Sequence, residues 1–260
     1  MNTRFLMEGV LNMNNLEIEF MKYIEPYRQY GEKIELKLEH TFRVQKLCKE
    51  IAENINLTKK EIETAEICGL LHDIGRFEQW KNYKSLEDYK TLDHGDLGYN
   101  ILKKNNYINK YVKMEEEKAI VLKAVKYHNK YSIPKNLKKK EKTLINLTRD
   151  ADKIDILYLL RVGILPIMIE DKPFSKEVYQ ALMNKKLIPQ EILKKEADST
   201  AVKLAFIFDI NYSYSLKLMQ EHLNYIIEKF KKTATNKKLL QQLKEIQEVI
   251  NNYIEERITC

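Results

Sequence analysis

Glycine and proline are scarce along this chain. Its 260 residues include only 7 glycines and 5 prolines. Folds rich in β-sheet need many tight turns, and these two residues supply the backbone conformations that such turns demand. Their scarcity favours long helices joined by short loops, and we therefore expect an all-α fold.

Apolar residues recur at helical spacing along most of the chain. Residues 36–54, for example, carry Val44, Cys48 and Ile51 on one face, with His40 at the end of that stripe. Residues three and four apart lie on the same side of a helix, so this face is expected to be buried. The other predicted helices are 16–30, 58–74, 93–102, 114–129, 141–162, 175–183, 200–230 and 236–258.

Several residues suggest where these helices begin and end. Thr58 followed by Glu61 forms a capping box that opens one helix, and Gly75 is expected to end it. The polar and aromatic residues 77–92 are then expected to form a long loop, before Asp93 caps the next helix.

Two prolines mark the expected boundary between two parts of the chain. Pro166 and Pro173 interrupt the helical pattern. We expect a core with an N-terminal helix at residues 1–165, and a helical extension packed on it at residues 166–260. The apolar faces of the extension suit either a lid over a site or the surface of a homodimer.

The charge and the cysteine content limit what kind of protein this can be. The 45 Lys and Arg against 38 Asp and Glu give a net charge of +7. Lysines interleave with glutamates along the helices, which is typical of a solvated surface, and a positive field would still attract an anionic phosphate. Cys48, Cys68 and Cys260 form no CxxC pair. With no signal peptide and no bilayer-spanning segment, we expect a cytoplasmic protein without a membrane partner.

Four of the five histidines lie in separate predicted helices, beside carboxylates or amides. They are His40 in LEHTF, His72 in LLHDIG, His94 in LDHGD and His128 in KYHNK. A further segment, TRDADKID, adds Asp150, Asp152 and Asp155. Imidazole nitrogen and carboxylate oxygen are the usual protein ligands of divalent cations. Helix packing can bring such groups to one point, so the pattern predicts a metal site.

The order of these groups resembles the HD superfamily of metal-dependent phosphohydrolases. The resemblance covers roughly residues 39–155 and lies in the segments EHTFRV, CGLLHDIGRF, DHGDLG, YHN and RDADKID. It implies an HD-domain helical bundle, here with additional C-terminal helices. It also implies one or two divalent metals, and hydrolysis of phosphate esters or anhydrides, usually of nucleotides.

The resemblance implies six metal ligands in two groups. The ligands of the first metal would be His40, His72, Asp73 and Asp152. His94 and His128 match two further histidines of members with a binuclear site, in which Asp73 would be the bridging carboxylate. Such members often carry a second histidine or an acid near His128, where this chain has Tyr127 and Asn129. Two aspartates among the imidazoles favour Fe, Mn or Mg over zinc or copper.

Asp73 and Arg76 are the expected catalytic residues. Arg76 resembles a basic phosphate contact of relatives, and a guanidinium suits phosphate oxygens. The alternative is a surface arginine paired with Glu78. His222 lacks any such context and is expected to be structural.

The expected function is metal-dependent hydrolysis of a nucleotide or related small phosphorylated compound, through metal-activated water. Two alternatives remain from the sequence: a nuclease acting on single-stranded nucleic acid, and a sensor that binds a nucleotide without turnover. Aromatic residues of the predicted loop, Trp80, Tyr83 and Tyr89, would either stack on a base or cover a core edge.

Overall fold

Helices account for all the regular secondary structure in the computed structural model, which describes residues 13–258. No strand occurs among these residues, so the all-α prediction is confirmed. The α-helices are α1 (Asn15–Ile24), α2 (Glu32–Asn54), α3 (Lys59–Leu71), α4 (Ile74–Tyr83), α5 (His94–Lys103), α6 (Glu115–Tyr127), α7 (Lys139–Arg161), α8 (Lys176–Met183), α9 (Glu196–Leu204), α10 (Ser213–Thr233) and α11 (Lys237–Ile258). Short 3₁₀ segments are Glu25–Tyr30, Asp88–Lys90, Lys104–Lys110, Gln190–Ile192 and Ala205–Asp209. Cys260 lies outside the described residues.

None of the helices within residues 13–258 combines the length and the apolar character needed to cross a membrane.

The chain divides into two compact units, an N-terminal unit that ends at Thr148 and a C-terminal unit that begins at Arg149. This division falls inside α7, whereas the proline pattern predicts a boundary between residues 165 and 166. Because α7 is one continuous helix, the division reflects tertiary contacts rather than a break in local structure. The roles expected for residues 166–260, as a lid or a dimer surface, stay predictions.

Close packing of α2 against α3 organises the N-terminal unit. Val44, Cys48 and Ile51 are fully buried, as the stripe on α2 predicts. A Cβ on Gly69 of α3 would lie 2.8 Å from both the Cys48 Sγ and the Gln45 Cα, so only glycine allows this approach. The tight crossing fixes the positions of His40 on α2 and His72 at the end of α3.

Gly75 does not end a helix, contrary to the prediction. α3 stops at Leu71, and Gly75 is the second residue of α4. Its Cβ, if present, would lie 2.2 Å from the backbone oxygen of His94 and 2.7 Å from the nitrogen of Gly98. Gly75 therefore permits α4 to touch α5 through the backbone.

The long loop predicted over residues 77–92 is also wrong in its first half, where α4 continues to Tyr83. Phe77 is fully buried, with its ring edge-on to that of Phe20 at 6.0 Å. The frequent polar residues of this segment hide its helical period in the sequence. Lys84, with a positive φ of 52°, ends α4.

In the C-terminal unit, the single helix predicted over 200–230 is interrupted. α9 ends at Leu204, and α10 starts only at Ser213. Asp150 accepts hydrogen bonds from the backbone N–H groups of Asn211, at 3.0 Å, and Tyr212, at 3.2 Å. This carboxylate therefore satisfies two backbone donors in the segment between the two helices, just before α10.

Candidate metal centre

Two groups of potential metal ligands share Asp73. The first group is His40, His72 and Asp73, and the second is Asp73, His94 and His128. Within each group the ligand atoms lie within 4.8 Å of one another, and all the residues are buried. The N-terminal unit thus brings together five of the six ligands that the resemblance implies.

Each carboxylate oxygen of Asp73 faces a different group. The Oδ2 atom lies 3.5 Å from the His40 Nε2 and 3.6 Å from the His72 Nε2. The Oδ1 atom lies 3.3 Å from the His94 Nε2 and 3.6 Å from the His128 Nε2. The Asp73 carboxylate therefore links the two groups of imidazoles.

A break between α3 and α4 allows His72 and Asp73 to face the same point. Successive residues of a continuous helix project about 100° apart. Here α3 ends at Leu71, and Asp73 adopts φ −100° and ψ 15°, outside the helical region. Such bridge-region conformations are common in residues of active sites.

His72 and His128 both lie at the C-terminal end of a helix, and a backbone carbonyl three residues earlier orients each ring. The His72 Nδ1 lies 2.7 Å from the carbonyl oxygen of Gly69, and the His128 Nδ1 lies 2.8 Å from that of Val125. A carbonyl oxygen can only accept, so each Nδ1 carries the proton. In the neutral ring the Nε2 lone pair then faces Asp73.

His94 also carries its proton on Nδ1, but its hydrogen-bond acceptor is a carboxylate. Its Nδ1 lies 2.7 Å from the Oδ2 of Asp88 and donates to it. Burial and the positive charge of Arg76 lower the pKa of His94 to about 4, so the ring is neutral near pH 7. Asp88 stays ionised: burial opposes this, but the hydrogen bond from His94 and the positive charge of Arg76 hold its pKa below the ordinary value.

These donor atoms suit a divalent cation. The Nε2 atoms of His94 and His128 lie 2.9 Å apart, and those of His72 and His40 lie 3.3 Å apart. The Nδ1 atoms of His94 and His128 both carry the proton, so their two Nε2 lone pairs meet at 2.9 Å and repel unless a cation lies between them. Imidazole nitrogens with a shared carboxylate form a donor set suited to a divalent metal.

Asp73 is ionised although it is buried. Burial alone would raise the pKa of its carboxyl, but the Lys37 ammonium and neighbouring His72 hold that pKa well below its usual range. The Lys37 Nζ lies 2.7 Å from the Asp73 Oδ2, and its side chain is 24% exposed. Lys37 therefore places a partly exposed positive charge at the first group.

Arg76 is not the surface arginine of the alternative interpretation. Its side chain is only 15% exposed, and its Nη1 donates to Asp88 at 2.8 Å and to the Leu86 carbonyl. Its Nε is buried 3.7 Å from the Asp73 Oδ1 and has no hydrogen-bond partner within residues 13–258. Glu78 instead accepts from the Tyr27 hydroxyl at 2.7 Å.

Sequence reasoning did not identify Lys37 or Asp88. Lys37 lies three residues before His40 on α2, so helical spacing could have placed it on the same side. Asp88 lies in the short 3₁₀ segment after α4, where no periodicity relates it to His94. Asp93, in contrast, caps α5 as predicted, because its side chain accepts from the Asp96 N–H.

The remaining acidic and histidine residues of the sequence prediction lie in the C-terminal unit. Asp152 lies on α7, and its role as the fourth ligand of the first metal stays a prediction. In the same unit, Arg149 and Lys153 both pair with Asp209, at 2.7 and 2.9 Å. His222 packs edge-on against Tyr158 at 6.0 Å and belongs to neither ligand group of the described residues.

The aromatic residues near the centre divide into two kinds. Trp80 is tied down, because its Nε1 donates to the Tyr30 carbonyl at 3.1 Å. Tyr83 and Tyr89 are exposed, by 45% and 67%. A role in base stacking stays open for these two tyrosines.

Comparison with known families agrees with this geometry. The family model described as HD domain matches residues 38–159. Residues 38–159 are therefore similar to an HD domain, in agreement with the helical fold and the two His/Asp groups. The family consists generally of hydrolases, and its domains bind divalent metals.

One curated relative also matches. Ribonuclease Y of Mycoplasma capricolum subsp. capricolum (strain California kid) is 31% identical over 147 residues, which cover 55% of this chain. The match spans only 23% of the length of that relative. No solved structure matches the chain.

Proposed function

We propose that this protein is a metal-dependent phosphohydrolase that cleaves a phosphoester or phosphoanhydride bond of a nucleotide or related small phosphorylated compound. The observation that carries the proposal is the division of Asp73 between two groups of buried imidazoles. His40, His72, His94 and His128, with Asp73 as the bridging carboxylate, would hold one or two divalent ions, with Asp152 as the sixth ligand.

A divalent cation held by Asp73 and the imidazoles would supply Lewis acidity and would lower the pKa of water towards neutrality. The chain contributes the geometry. Ionised Asp73 and neutral His94 offer lone pairs without first losing a proton, since the pKa of Asp73 is lowered and that of His94 is about 4. The buried surroundings limit the access of bulk water and so strengthen electrostatic interactions.

Two cationic side chains are placed to bind phosphate oxygens. Lys37 lies beside the Asp73 Oδ2 and Arg76 beside the Oδ1, so the two charges flank the carboxylate. We assign Asp73 and Arg76 as catalytic residues, with Arg76 stabilising negative charge as the bond to the leaving oxygen breaks. Lys37 would hold the phosphate group while water adds to phosphorus.

The test is a hydrolysis screen coupled to elemental analysis. Protein purified without chelator is supplied with Mn²⁺ or Fe²⁺ and assayed for release of phosphate or pyrophosphate from nucleotides and phosphomonoesters. We expect Asp73→Ala to lose both bound metal and turnover. Asp96→Asn, a surface aspartate paired with Lys130, is the matched control and should behave as the wild type. Unchanged hydrolysis by Asp73→Ala would refute the proposal.

A second candidate is a nuclease acting on single-stranded nucleic acid. The similarity to Ribonuclease Y, whose name denotes an RNA-cleaving enzyme, favours it. The net charge of +7 would assist binding to a polyanion. Including a single-stranded RNA oligonucleotide in the same screen separates the two candidates, because the proposed activity requires faster turnover of the small compound.

A further inference from the structure

Asp88 occupies an unusual position outside the motif segments. Both of its oxygens are shared between two donors. Oδ2 accepts from the His94 Nδ1 at 2.7 Å and from the Asn129 Nδ2 at 3.2 Å. Oδ1 accepts from the Arg76 Nη1 at 2.8 Å and from the Gln79 Nε2 at 3.0 Å. An ionised carboxylate has about four lone-pair sites, so its hydrogen-bonding capacity is filled.

The segment that carries Asp88 is held against α4. The Nε2 of Gln79, which is fully buried, lies within hydrogen-bond distance of three acceptors: the Asp88 Oδ1, the Thr91 hydroxyl at 2.7 Å and the Leu92 carbonyl at 2.8 Å. The buried Gln79 amide therefore restricts the movement of the Asp88 carboxylate. A side chain held in this way can impose a geometry on its other partners.

Two partners of Asp88, His94 and Arg76, have different roles at the site. His94 is a ligand of the second group around Asp73, and its Nε2 is available only while the proton stays on Nδ1. Arg76 lies beside the same Asp73 oxygen, Oδ1, and Asp88 binds one end of its guanidinium. One carboxylate therefore contacts both the imidazole and the guanidinium that face this oxygen.

We propose that Asp88 is a positioning residue, which sets the tautomer of His94 and the orientation of Arg76. This inference rests on the proposed function, because it gives the two residues a shared purpose at the metal centre. Carboxylates that orient ligand imidazoles typically affect metal affinity by about 10–100-fold. In addition, Asp88 accepts a hydrogen bond from Arg76, the residue that we assign to phosphate binding.

The substitution Asp88→Asn separates the two kinds of contact. The amide oxygen can still accept from Arg76 and Gln79, whereas the amide nitrogen, placed at the Oδ2 position, can only donate. His94 would then have to accept at Nδ1 and carry its proton on Nε2, which removes the lone pair from the metal centre. Glu87→Gln is the matched control, an exposed acid in the preceding position that pairs with Lys90.

The first readout needs neither metal nor substrate. Imidazole ¹⁵N shifts of histidine-labelled protein, assigned with His94→Gln, report which nitrogen of His94 carries the proton. We expect Nδ1–H in the wild type and in Glu87→Gln, and Nε2–H in Asp88→Asn. Nε2–H in the wild type would overturn the inference, and this test holds even if Asp88→Asn does not fold.

The second readout is a Mn²⁺ titration of each variant. We expect two classes of site in the wild type, and an affinity about 10–100-fold lower for one class in Asp88→Asn. Asp88→Glu, which keeps the carboxylate, should recover part of this loss. Two wild-type affinities in Asp88→Asn would overturn the role of Asp88 alone. A wild-type chain that binds no Mn²⁺ would overturn the proposed function, and the inference with it.

Discussion

At the scale of single residues, the centre depends on where each imidazole places its proton. His72 and His128 donate to backbone carbonyls, and His94 donates to Asp88. The sequence predicts the histidines, because each lies in a distinctive segment. It does not predict the partners of Nδ1, since these depend on where helices end and on a loop residue without periodicity.

Lys37 provides a prediction at this scale. We expect Lys37→Ala to raise the KM for the phosphorylated substrate roughly tenfold or more, because a charge-assisted hydrogen bond contributes about 1.5–3 kcal/mol. Metal content should not fall, since Lys37 is a neighbour of Asp73 rather than a ligand. Steady-state kinetics with elemental analysis would check both.

The matched control is Lys110→Ala, which removes a surface ammonium paired with Glu19 at 2.6 Å. Lys37→Arg keeps the charge and should recover part of the affinity. A KM unchanged by Lys37→Ala would contradict the assigned contact with phosphate.

At the scale of helices, glycines set how closely the elements that carry the ligands approach one another. The stripe on α2 and the capping box of α3 follow from sequence spacing, and both are confirmed. The prediction that Gly75 ends a helix is wrong, because Gly75 is the second residue of α4. A glycine that follows a helical run resembles a helix end in sequence, and only the crossing of α4 with α5 reveals its purpose.

Gly75→Ala should therefore destabilise the protein although alanine is the better helix former. Alanine would gain about 1 kcal/mol in helix propensity. Its Cβ would, however, lie 2.2 Å from the backbone oxygen of His94, which cannot move without displacing α5. Overpacking typically costs about 1–3 kcal/mol, and a clash with backbone belongs at the upper end of that range. After the gain is subtracted, we expect a net loss of about 2 kcal/mol in the free energy of unfolding, and weaker Mn²⁺ binding.

Gly98→Ala is the control for this prediction. There the nearest contacts are the side-chain atoms Val125 Cγ1 at 2.9 Å and Ile74 Cγ2 at 3.1 Å. Side chains can shift at lower cost than backbone, so the loss should be smaller. Urea denaturation measures both variants, and a Gly75→Ala protein as stable as the wild type would disprove the account of this crossing.

At the scale of the whole molecule, the family resemblance and the fold could be predicted from the sequence, whereas the domain boundary at residues 165 and 166 stays a prediction. The HD-domain match ends at residue 159, and the compact units divide between Thr148 and Arg149. Helical periodicity runs through α7 without interruption, so no local signal marks that division. The prolines near residue 166 mark the end of regular helix instead. Asp152 is the predicted ligand that lies beyond the division.

The net charge of +7 gives a prediction that separates the candidate substrates. A protein that contacts several phosphates of a single-stranded nucleic acid loses affinity steeply as salt is raised. The logarithm of the binding constant falls with the logarithm of the salt concentration, with a slope of about −0.7 per phosphate contact. We expect the preferred substrate to be a small nucleotide, and hence a shallow dependence of KM on salt between low and physiological ionic strength. A steep slope with faster turnover of RNA would favour the nuclease.

The central claim is that Asp73 and the surrounding imidazoles hold divalent metal, and locating that metal tests it most directly. Crystals of the wild-type chain grown with Mn²⁺ would be measured at the manganese absorption edge. We predict two anomalous peaks about 3.5–4 Å apart on either side of the Asp73 carboxylate, one near His40 and His72 and the other near His94 and His128. Peaks only at other positions, or none near Asp73, would contradict the account.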